Sequence, residues 1–293
     1  MDAILPLIAR DVPRFELLYR SLQRNVSGLD RIWAVVPPHE LGQLQLDTLG
    51  AGPAIEVVSE LELVPELALF TRLSGWYRQQ IIKLEIANRV QSDFYLTLDA
   101  DVIATQPIDL NALCAAGTAP CGVVFEDLHP RWYEGARSLI GAQLPRQGIS
   151  HAVTPTILQR DAVRSLIAHL DQRWDGRQFS SGLRGLKQRF GRARARWAKR
   201  SDFRAWRMLL CCSRPWSEYS LYYSFLEWNG SFAQYHHETA EALYAADRSI
   251  WHPEDLARWD PSLLALPGPP FVVLQSTAGI PLATLRSWVA PYV

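Results

Sequence analysis

Short apolar runs alternate with helical periodicity in the first sixty residues. Residues 3–9 form an apolar run that predicts a buried strand, and Pro13 begins a stretch with apolar side chains at helical spacing, which predicts a helix ending at Gly28. Two further runs, RIWAVV and AIEVVS, each predict a strand. The order strand, helix, strand, strand is typical of the first half of an α/β nucleotide-binding domain.

A polar-faced helix followed by a strand is predicted between residues 73 and 108. The stretch LSGWYRQQIIKLEIANRV has helical period, and Trp76, Gln80 and Lys83 fall on one of its faces while Ile and Leu side chains are left for packing. Large polar side chains beside a Trp indicate a face that borders a cleft. DFYLTLDADVIATQPI then predicts a strand that runs into two acids and ends before Pro107.

The rest of the chain predicts a more helical part. The patterns indicate strands in PCGVVFED and PFVVLQS, and helices in WYEGARSLIG, in the stretch after TPTIL, and in SEYSLYYSFLEW. Internal repeats are absent from the sequence. We therefore predict one α/β domain over residues 1–293, with a mixed sheet flanked by helices.

The composition is that of an ordinary globular protein. Of 293 residues, 48% are hydrophobic and 20% charged, so the chain is able to bury a large core without disulfide or metal staples. The sequence contains no apolar run long enough to span a bilayer, and its acidic start does not resemble a secretory signal, so a cytoplasmic protein is expected. The four cysteines lack Cys-x-x-Cys spacing and are expected to be reduced and mostly buried.

Positive charge is concentrated in residues 184–207. This segment has ten basic residues and one acid, a net charge of +9, which leaves −9 for the rest of a chain whose total is zero. A narrow apolar stripe runs through it at helical spacing: Leu186, Phe190, Ala193 and Trp197.

A basic amphipathic helix is therefore predicted, in an insertion at about residues 176–210. Such a helix favours peripheral contact with an anionic membrane, which co-flotation with anionic vesicles at low salt would test. A solvated helix packed on the domain by its aromatic side chains is the alternative. Nucleic acid is not expected, because no reading motif accompanies the charge.

Asp99 and Asp101 follow the apolar residues of a predicted strand. Side chains alternate along a strand, so these acids are expected to point the same way with their carboxylates close together. A divalent cation such as Mg²⁺ or Mn²⁺ suits such a pair, and ligands of open α/β sheets bind beyond the carboxyl ends of the strands. The alternative is that one acid caps a turn and the other is a solvated loop residue.

The polar-faced helix and the acidic motif together resemble a known family. GWYRQQIIKL followed by YLTLDADV is similar to the core of the GT-A-fold glycosyltransferases, particularly the bacterial ones associated with surface polysaccharides such as capsule and O-antigen. The likeness covers most of the chain outside about residues 176–210. It implies a GT-A-like, Rossmann-like sheet, a nucleotide-sugar-binding half over residues 1–125 and an acceptor-side half over residues 126–293.

The resemblance implies sugar transfer from a nucleoside-diphosphate donor to a glycan or lipid-linked glycan acceptor. Asp99 and Asp101 would bridge the diphosphate through Mn²⁺ or Mg²⁺, and Arg10 and Asp11 would lie near the nucleoside. Lys83 is expected to act in catalysis, because fixed positive charge where negative charge develops is usually the largest catalytic contribution. The residues implied to bind the donor are Arg10, Asp11, Trp76, Gln80, Lys83 and Asp99.

A third metal ligand is expected from the C-terminal half, because enzymes of this fold often add a His to the metal. His252 is preferred, since Trp251 and Pro253 indicate a fixed loop, and His236 and His237 are the other candidates. A structural His satisfied by hydrogen bonds is the alternative.

Glu218 begins a predicted helix with Ser217 as its N-cap. An acid in a first turn is stabilised by the helix dipole, which explains it without a function. The functional interpretation is that Glu218 reaches the acceptor hydroxyl, as a base in direct displacement or as an orienting group if the anomeric configuration is retained. The side chains expected on the acceptor side are Asp127, His151, Thr154 and Tyr219, although Asp and Thr are also common in turns and caps.

Two other functions fit parts of the pattern. DADVIAT also resembles the nucleophile motif of haloacid dehalogenase-type phosphatases, although that motif generally lies near the N-terminus and is followed by paired acids, which this sequence lacks. The other is a non-catalytic membrane-surface or polysaccharide-binding protein. Metal-dependent binding of a nucleoside diphosphate distinguishes the transferase from both.

Overall fold

The computed structural model describes residues 1–44, 46, 49–124, 128–143, 149–175, 204–241 and 243–293. The predicted acceptor-side residue Asp127 and most of the basic segment, residues 176–203, lie outside this part of the chain.

Strands and helices alternate along the first half, and helices dominate the second. The strands are β1 (Asp2–Pro6), β2 (Val26–Ser27), β3 (Arg31–Val36), β4 (Ala54–Ser59), β5 (Phe94–Thr97), β6 (Val102–Ala104), β7 (Ile108–Asp109), β8 (Ala119–Val124), β9 (Ser150–His151), β10 (Thr156–Gln159), β11 (His236–Thr239) and β12 (Phe271–Val273). The α-helices are α1 (Val12–Asn25), α2 (Glu60–Leu63), α3 (Gly75–Glu85), α4 (Leu110–Leu113), α5 (Pro130–Ile140), α6 (Arg160–Asp175), α7 (Ala205–Cys212), α8 (Glu218–Trp228), α9 (Phe232–Tyr235) and α10 (Leu282–Val289).

The central sheet has five strands in the order β10-β5-β1-β3-β4. The four strands β4, β3, β1 and β5 are parallel, and β10 pairs with β5 in the antiparallel sense. Parallel neighbours need crossover connections, and α1 lies in the one that leads from β1 to β3. The predicted α/β class, a mixed sheet flanked by helices with a more helical C-terminal part, is confirmed.

The two faces of the sheet are covered by different helices. In β1, Ile4 packs with α3, α6 and α8 in one hydrophobic core, whereas Ala3 and Leu5 pack with α1 in a second core on the other face. This division follows from the alternation of side chains along a strand. Burying a side chain the size of Ile or Leu stabilises a fold by about 1.5–3 kcal/mol. The buried side chains on both faces of the strands therefore stabilise the packing of helices on either side of the sheet.

The order in which the strands are added to the sheet reverses at β1. The chain moves outward from β1 to β3 and β4, and then returns to add β5 on the other side of β1. Such a switch point leaves a crevice outside the carboxyl ends of the two strands, where open α/β sheets bind ligands. The segment that follows β1 carries Arg10 and Asp11 there. The segment that follows β5 carries Asp99 and Asp101.

The long strand predicted through the acidic pair is divided in two. β5 ends at Thr97, residues 100–101 form a turn, and β6 begins at Val102 and pairs with β12 rather than with the central sheet. The prediction that Asp99 and Asp101 point the same way because they lie on one strand is therefore wrong: both precede β6, outside a regular strand.

Helices α6 and α7 flank residues 176–203, and they contact each other in the folded chain: Trp206 at the start of α7 donates its backbone N–H to Asp171 Oδ1 of α6 at 2.8 Å. Arg207, one of the basic residues counted toward the amphipathic segment, is buried between Glu66 and Glu85, at 3.2 and 2.7 Å. Its expected place on a polar helix face is wrong, because these two acids hold its guanidinium inside the fold.

None of the helices that the structure describes is long and apolar enough to cross a bilayer. Cys121 and Cys211 are buried, and Cys114 and Cys212 are partly buried.

Candidate functional site

The segment after β1 forms one side of the crevice. Ala9–Asp11 makes a single 3-10 turn that leads directly into α1, which places Arg10 and Asp11 at the carboxyl end of β1. Arg10 is exposed, and its Nε lies 3.6 Å from Asp11 Oδ1. Burial raises the pKa of Asp11, and the neighbouring Arg10 and Arg14 oppose that rise.

Arg14, which the sequence patterns did not single out, connects this side of the crevice to the C-terminal part. Its guanidinium donates to the carbonyl oxygens of Leu274 at 3.2 Å and Ile280 at 3.1 Å. Its charge also opposes the rise in the pKa of Asp101. Only a long-range contact distinguishes Arg14 from the other arginines of α1, so no local signal could have found it.

The two acids of the motif have different surroundings. The Asp101 carboxylate is buried, and its Oδ2 accepts the backbone N–H of Ser276 at 3.0 Å, in the segment that follows β12. Burial, with the nearby Asp99 charge, raises the pKa of Asp101 to about 6. The two carboxylates therefore repel each other, which disfavours the charged form of Asp101.

The Asp99 carboxylate is paired with a buried lysine. Lys83 Nζ lies 2.9 Å from Asp99 Oδ1 and 3.3 Å from Glu218 Oε1, although the Lys83 side chain is only 2% exposed. Burial alone lowers the pKa of Lys83, but Asp99, Tyr219 and Glu218 together raise that pKa well above its usual value, so the ammonium is charged. Lys83, Asp99, Glu218, Tyr219 and Thr97 are called the lysine cluster below.

Helix α8 begins inside the site and brings Glu218 to Lys83. The predicted N-cap is confirmed: Ser217 Oγ accepts the Ser220 N–H at 3.0 Å, and Ser220 Oγ accepts the Ser217 N–H at 2.9 Å. The free N–H of Glu218 is taken by Gln80 Oε1 at 3.0 Å. The cap and the α3 side chain together fix the first turn of α8 against α3.

The Glu218 carboxylate has no hydrogen-bond partner in the described part of the chain, although its side chain is 1% exposed. Its contact with Lys83 is an ion pair without hydrogen-bond geometry. Burial raises the pKa of Glu218, and Lys83 opposes that rise. Buried polar atoms are nearly always hydrogen-bonded. The helix dipole stabilises the charge of Glu218 but does not supply hydrogen bonds to its oxygens, so this carboxylate is still able to accept a hydrogen bond.

A line of hydroxyl groups supports the lysine cluster from β5. Tyr219 OH lies 2.9 Å from Thr97 Oγ1, and Lys83 Nζ donates to Tyr219 OH at 3.5 Å. Thr154, predicted on the acceptor side, donates its Oγ1 hydrogen to the Thr97 carbonyl at 3.4 Å. Tyr219 and Thr154 are therefore brought to the cluster, but both are buried and directed at β5.

His151, on β9, lies beside Tyr223, which is one helical turn further along α8 than Tyr219. Its ring stacks on Tyr223 at 4.4 Å, its Nδ1 lies 3.2 Å from Tyr133 OH and its Nε2 lies 3.4 Å from Glu227 Oε1. This is the environment of a histidine satisfied in the core, and it accounts for the residue without an acceptor role.

His252 lies at the surface, at the N-terminus of the 3-10 turn Pro253–Ala257. Backbone hydrogen bonds pair Ile250 with the segment around Val273, close to where Ser276 meets Asp101. In the described ranges, however, no three His, Cys, Asp or Glu side chains are grouped so that they could hold a metal ion. The structure therefore brings Asp99 and Asp101 to one turn but does not complete a three-ligand site with His252, His236 or His237.

Trp76, on the first turn of α3, is 38% exposed and does not join the buried lysine cluster. Its indole lies 5.1 Å from that of Trp132 on α5, between ring centroids. Gln80 and Lys83, further along the same helix face, are buried against α8 and β5. The face predicted to border a cleft thus runs from the surface at Trp76 to the lysine cluster.

The fold and this site define an α/β protein in which an acidic turn and a buried lysine lie at the switch point of a parallel sheet. The whole chain, residues 1–293, matches a protein family described as "Family of unknown function (DUF6492)", and the chain belongs to that family. No curated protein is similar to it in sequence.

Three solved structures similar to this chain are glycosyltransferases, the class that its motifs resemble. Mouse xyloside xylosyltransferase 1 in its apo form has a TM-score of 0.48 and 10% identity, over 96% of this chain and 100% of that chain. The apo form of the glycosyltransferase GlyE from Streptococcus pneumoniae TIGR4 has a TM-score of 0.38 and 15% identity, over 98% of this chain and 59% of that chain. The galactosyltransferase LgtC, in complex with donor and acceptor sugar analogues, has a TM-score of 0.42 and 10% identity, over 99% and 96%.

Proposed function

We propose that this protein is a glycosyltransferase that moves a sugar from a nucleoside-diphosphate donor to a glycan or lipid-linked glycan. The observation that carries the proposal is the buried ammonium of Lys83, between Asp99 of the acidic turn and the unsatisfied carboxylate of Glu218. Cleaving a sugar from a diphosphate needs positive charge at the leaving group and a carboxylate at the sugar, and this site offers both beside a switch-point crevice.

The donor diphosphate would be bound at the acidic turn with a divalent cation. The residues fit such an ion in the way usual for Mg²⁺, which is commonly held by one or two carboxylates with substrate phosphates completing its shell. Asp99 and Asp101 are the carboxylates in question. Burial and the nearby Asp99 charge raise the pKa of Asp101, and a cation at the turn would offset that repulsion. A bound cation supplies charge neutralisation for the diphosphate. His252 remains the proposed third ligand, with Arg10 and Asp11 proposed near the nucleoside.

Lys83 has two tasks in this proposal. In the free protein its single positive charge is shared by Asp99 and Glu218, which lowers the cost of burying these acids. When the donor enters, its ammonium is within reach of charge that develops on the leaving group, while Gln80 holds the first turn of α8 in place.

Glu218 is proposed to face the reacting sugar. Both of its carboxylate oxygens lack a hydrogen-bond partner in the described chain, so either is able to accept the hydrogen of a substrate hydroxyl. In direct displacement it would remove the proton of the acceptor hydroxyl; with retention it would orient that hydroxyl. Asp127, Thr154, His151 and Tyr219 remain the proposed acceptor side, although the contacts described above also explain the last three structurally.

Cytoplasmic location and contact with an anionic membrane through residues 184–207 also stay proposals. Most of that segment lies outside the described residues, and Arg207 at its end is engaged by Glu66 and Glu85.

The first experiment measures the melting temperature of the protein with a panel of nucleotide sugars, with and without Mn²⁺. A ligand at 100 times its Kd adds about 2.7 kcal/mol of stability, so one donor class is expected to raise the melting temperature by several degrees, and only with the metal. Asp101→Asn is expected to abolish this rise and sugar transfer while leaving the unliganded melting temperature nearly unchanged, because the amide oxygen still accepts the Ser276 N–H.

Asp260→Asn is the matched control, because Asp260 likewise accepts a serine N–H, from Ser262 at 2.8 Å, but lies in an exposed turn. It should keep the metal-dependent rise. Release of phosphate from a generic phosphoester would favour the phosphatase instead, and a protein that neither binds nucleotide sugars nor cleaves phosphoesters would fit the non-catalytic binding protein.

A further inference from the structure

A continuous series of aromatic rings leads from the protein surface to the start of α8. The ring centroids of His129 and Trp132 are 4.1 Å apart and stacked, and those of Trp132 and Trp76 are 5.1 Å apart. Tyr77 meets Trp76 edge-on at 4.8 Å, and Trp216 lies 5.6 Å from Tyr77. These five residues are called the aromatic ladder.

The ladder joins the lysine cluster at its inner end. Trp216 is fully buried and lies two residues before Glu218. Ser220 in the first turn of α8 donates its hydroxyl to the Trp132 carbonyl at 3.3 Å, so the ladder and the Glu218 turn are held together. At the outer end, His129 and Trp76 are exposed. The ladder therefore connects solvent-exposed rings to the helix turn that carries the buried Glu218 carboxylate.

The ladder lies on the other face of the sheet from the proposed nucleoside side. Trp76 and the lysine belong to α3, which packs in the core with Ile4, whereas Asp11 leads into α1, which packs in the core with Leu5. Along α3, Trp76 precedes Lys83 by seven residues, or about 10 Å at 1.5 Å per residue. The donor and a ligand on the ladder would approach the lysine cluster from different sides.

We propose that the aromatic ladder is the acceptor subsite and that it binds pyranose rings of a glycan, with a hydroxyl of the terminal ring presented to Glu218. This inference rests on the proposed glycosyltransferase function and deepens it. The distance of about 10 Å along α3 from Trp76 to Lys83 is similar to the length of a short oligosaccharide. It also assigns Trp76 to the acceptor, in place of the donor role expected from the sequence.

The chemistry of the ladder favours a sugar over the other occupants. Aromatic faces carry negative potential and attract the C–H groups on the flat side of a pyranose. The hydroxyl groups lie around the edge of the sugar ring, so stacking leaves them free for polar partners. A nucleobase would also stack on such rings, but the base belongs with the diphosphate at the switch point. An acyl chain would find no aliphatic groove here, because all five side chains are aromatic.

The test compares Trp76→Ala and Trp132→Ala with the wild-type protein on an array of neutral and acidic pyranose oligosaccharides, in the presence of Mn²⁺ and nucleoside diphosphate. The matched control is Trp228→Ala, since Trp228 is 36% exposed, much like Trp76, but lies at the far end of α8. Wild type and the control should retain the same glycans, and each ladder variant should bind them about tenfold more weakly. Trp76→Phe, which keeps an aromatic face, should recover most of the binding.

A second measurement separates this inference from the proposed function. Metal-dependent binding of the nucleoside diphosphate should be unchanged in all four variants. If the diphosphate binds but no glycan is retained, or if Trp76→Ala weakens the diphosphate instead of the glycan, the ladder assignment is overturned while the transferase stands. Loss of binding to phosphatidylglycerol vesicles in the ladder variants, without any loss of glycan binding, would also overturn it. Absence of diphosphate binding in the wild type counts against the proposed function itself.

Discussion

Lys83 shows how one residue takes its properties from its neighbours. A lysine buried alone would lose its charge, because desolvation disfavours the ammonium. Asp99 at 2.9 Å and Glu218 at 3.3 Å reverse this outcome and raise the pKa of Lys83 well above its usual value. The three side chains therefore act as one charged unit, and removal of Lys83 leaves two carboxylates without their common counter-charge.

Lys83→Met removes the charge and keeps a side chain of similar length. We expect it to destabilise the fold by about 3–5 kcal/mol, because the two acids then lose their common partner. Adding Glu218→Gln should recover part of that loss, and the melting temperatures of the single and double variants measure the coupling. Neither variant should transfer sugar. A Lys83→Met protein that melts with the wild type would contradict the buried ion-pair unit.

Helices α5 and α8 are set in place by close contact between α5 and the segment before α8. A Cβ atom added at Gly135 of α5 would lie 1.6 Å from the Pro215 carbonyl oxygen, which is far inside contact distance. This close approach allows α5, with Trp132 on it, to reach the first turn of α8. Gly135 is therefore required by packing, since no left-handed backbone conformation is involved.

Gly135→Ala should destabilise the protein by about 1–3 kcal/mol or more, because one of the two segments has to move. Gly75→Ala is the matched control in a helix, since a Cβ there meets no atom within 4 Å. That change should be neutral or stabilising by up to about 1 kcal/mol. Urea unfolding of both variants measures the difference, and equal midpoints would mean that the α5 contact is loose.

Across the whole molecule, buried neutral histidines make stability depend on pH. His236 is 1% exposed, with Nε2 2.8 Å from Tyr222 OH and Nδ1 3.3 Å from the Ala119 carbonyl. Burial lowers its pKa from 6.5 to about 4, partly opposed by the Ala119 carbonyl. Burial likewise lowers the pKa of His151 to about 3. As the pH falls below 6.5, these histidines bind protons in the unfolded chain but stay neutral in the native protein, so the native state loses stability.

The free energy of unfolding is therefore expected to fall between pH about 6.5 and about 4, by up to roughly 1.4 kcal/mol per pH unit for each buried histidine. His236→Gln should be less stable at pH 7.5 but should lose less stability on acidification. His252→Gln, at an exposed histidine, should keep the wild-type slope. Urea unfolding at a series of pH values measures these slopes, and parallel lines for wild type and His236→Gln would refute the assignment.

Local patterns in the sequence were enough to predict the strands β1, β3, β4 and β5, the helix that carries Trp76 and Lys83, and the Ser217 cap. Period and capping depend on residues that are near neighbours along the chain. The acidic pair at the end of a buried strand was also recognisable. Its geometry was not, since a turn after Thr97 replaced the expected continuous strand.

Only the tertiary structure decided which distant segments meet in the site. Ser276 binds Asp101 across 175 positions, and Gln80 binds the N–H of Glu218 across 138. The same holds for Arg207, whose charge suggested a surface until Glu66 and Glu85 were found around it. These contacts depend on how the helical layers pack on the sheet, and no property of a short stretch of sequence records that packing.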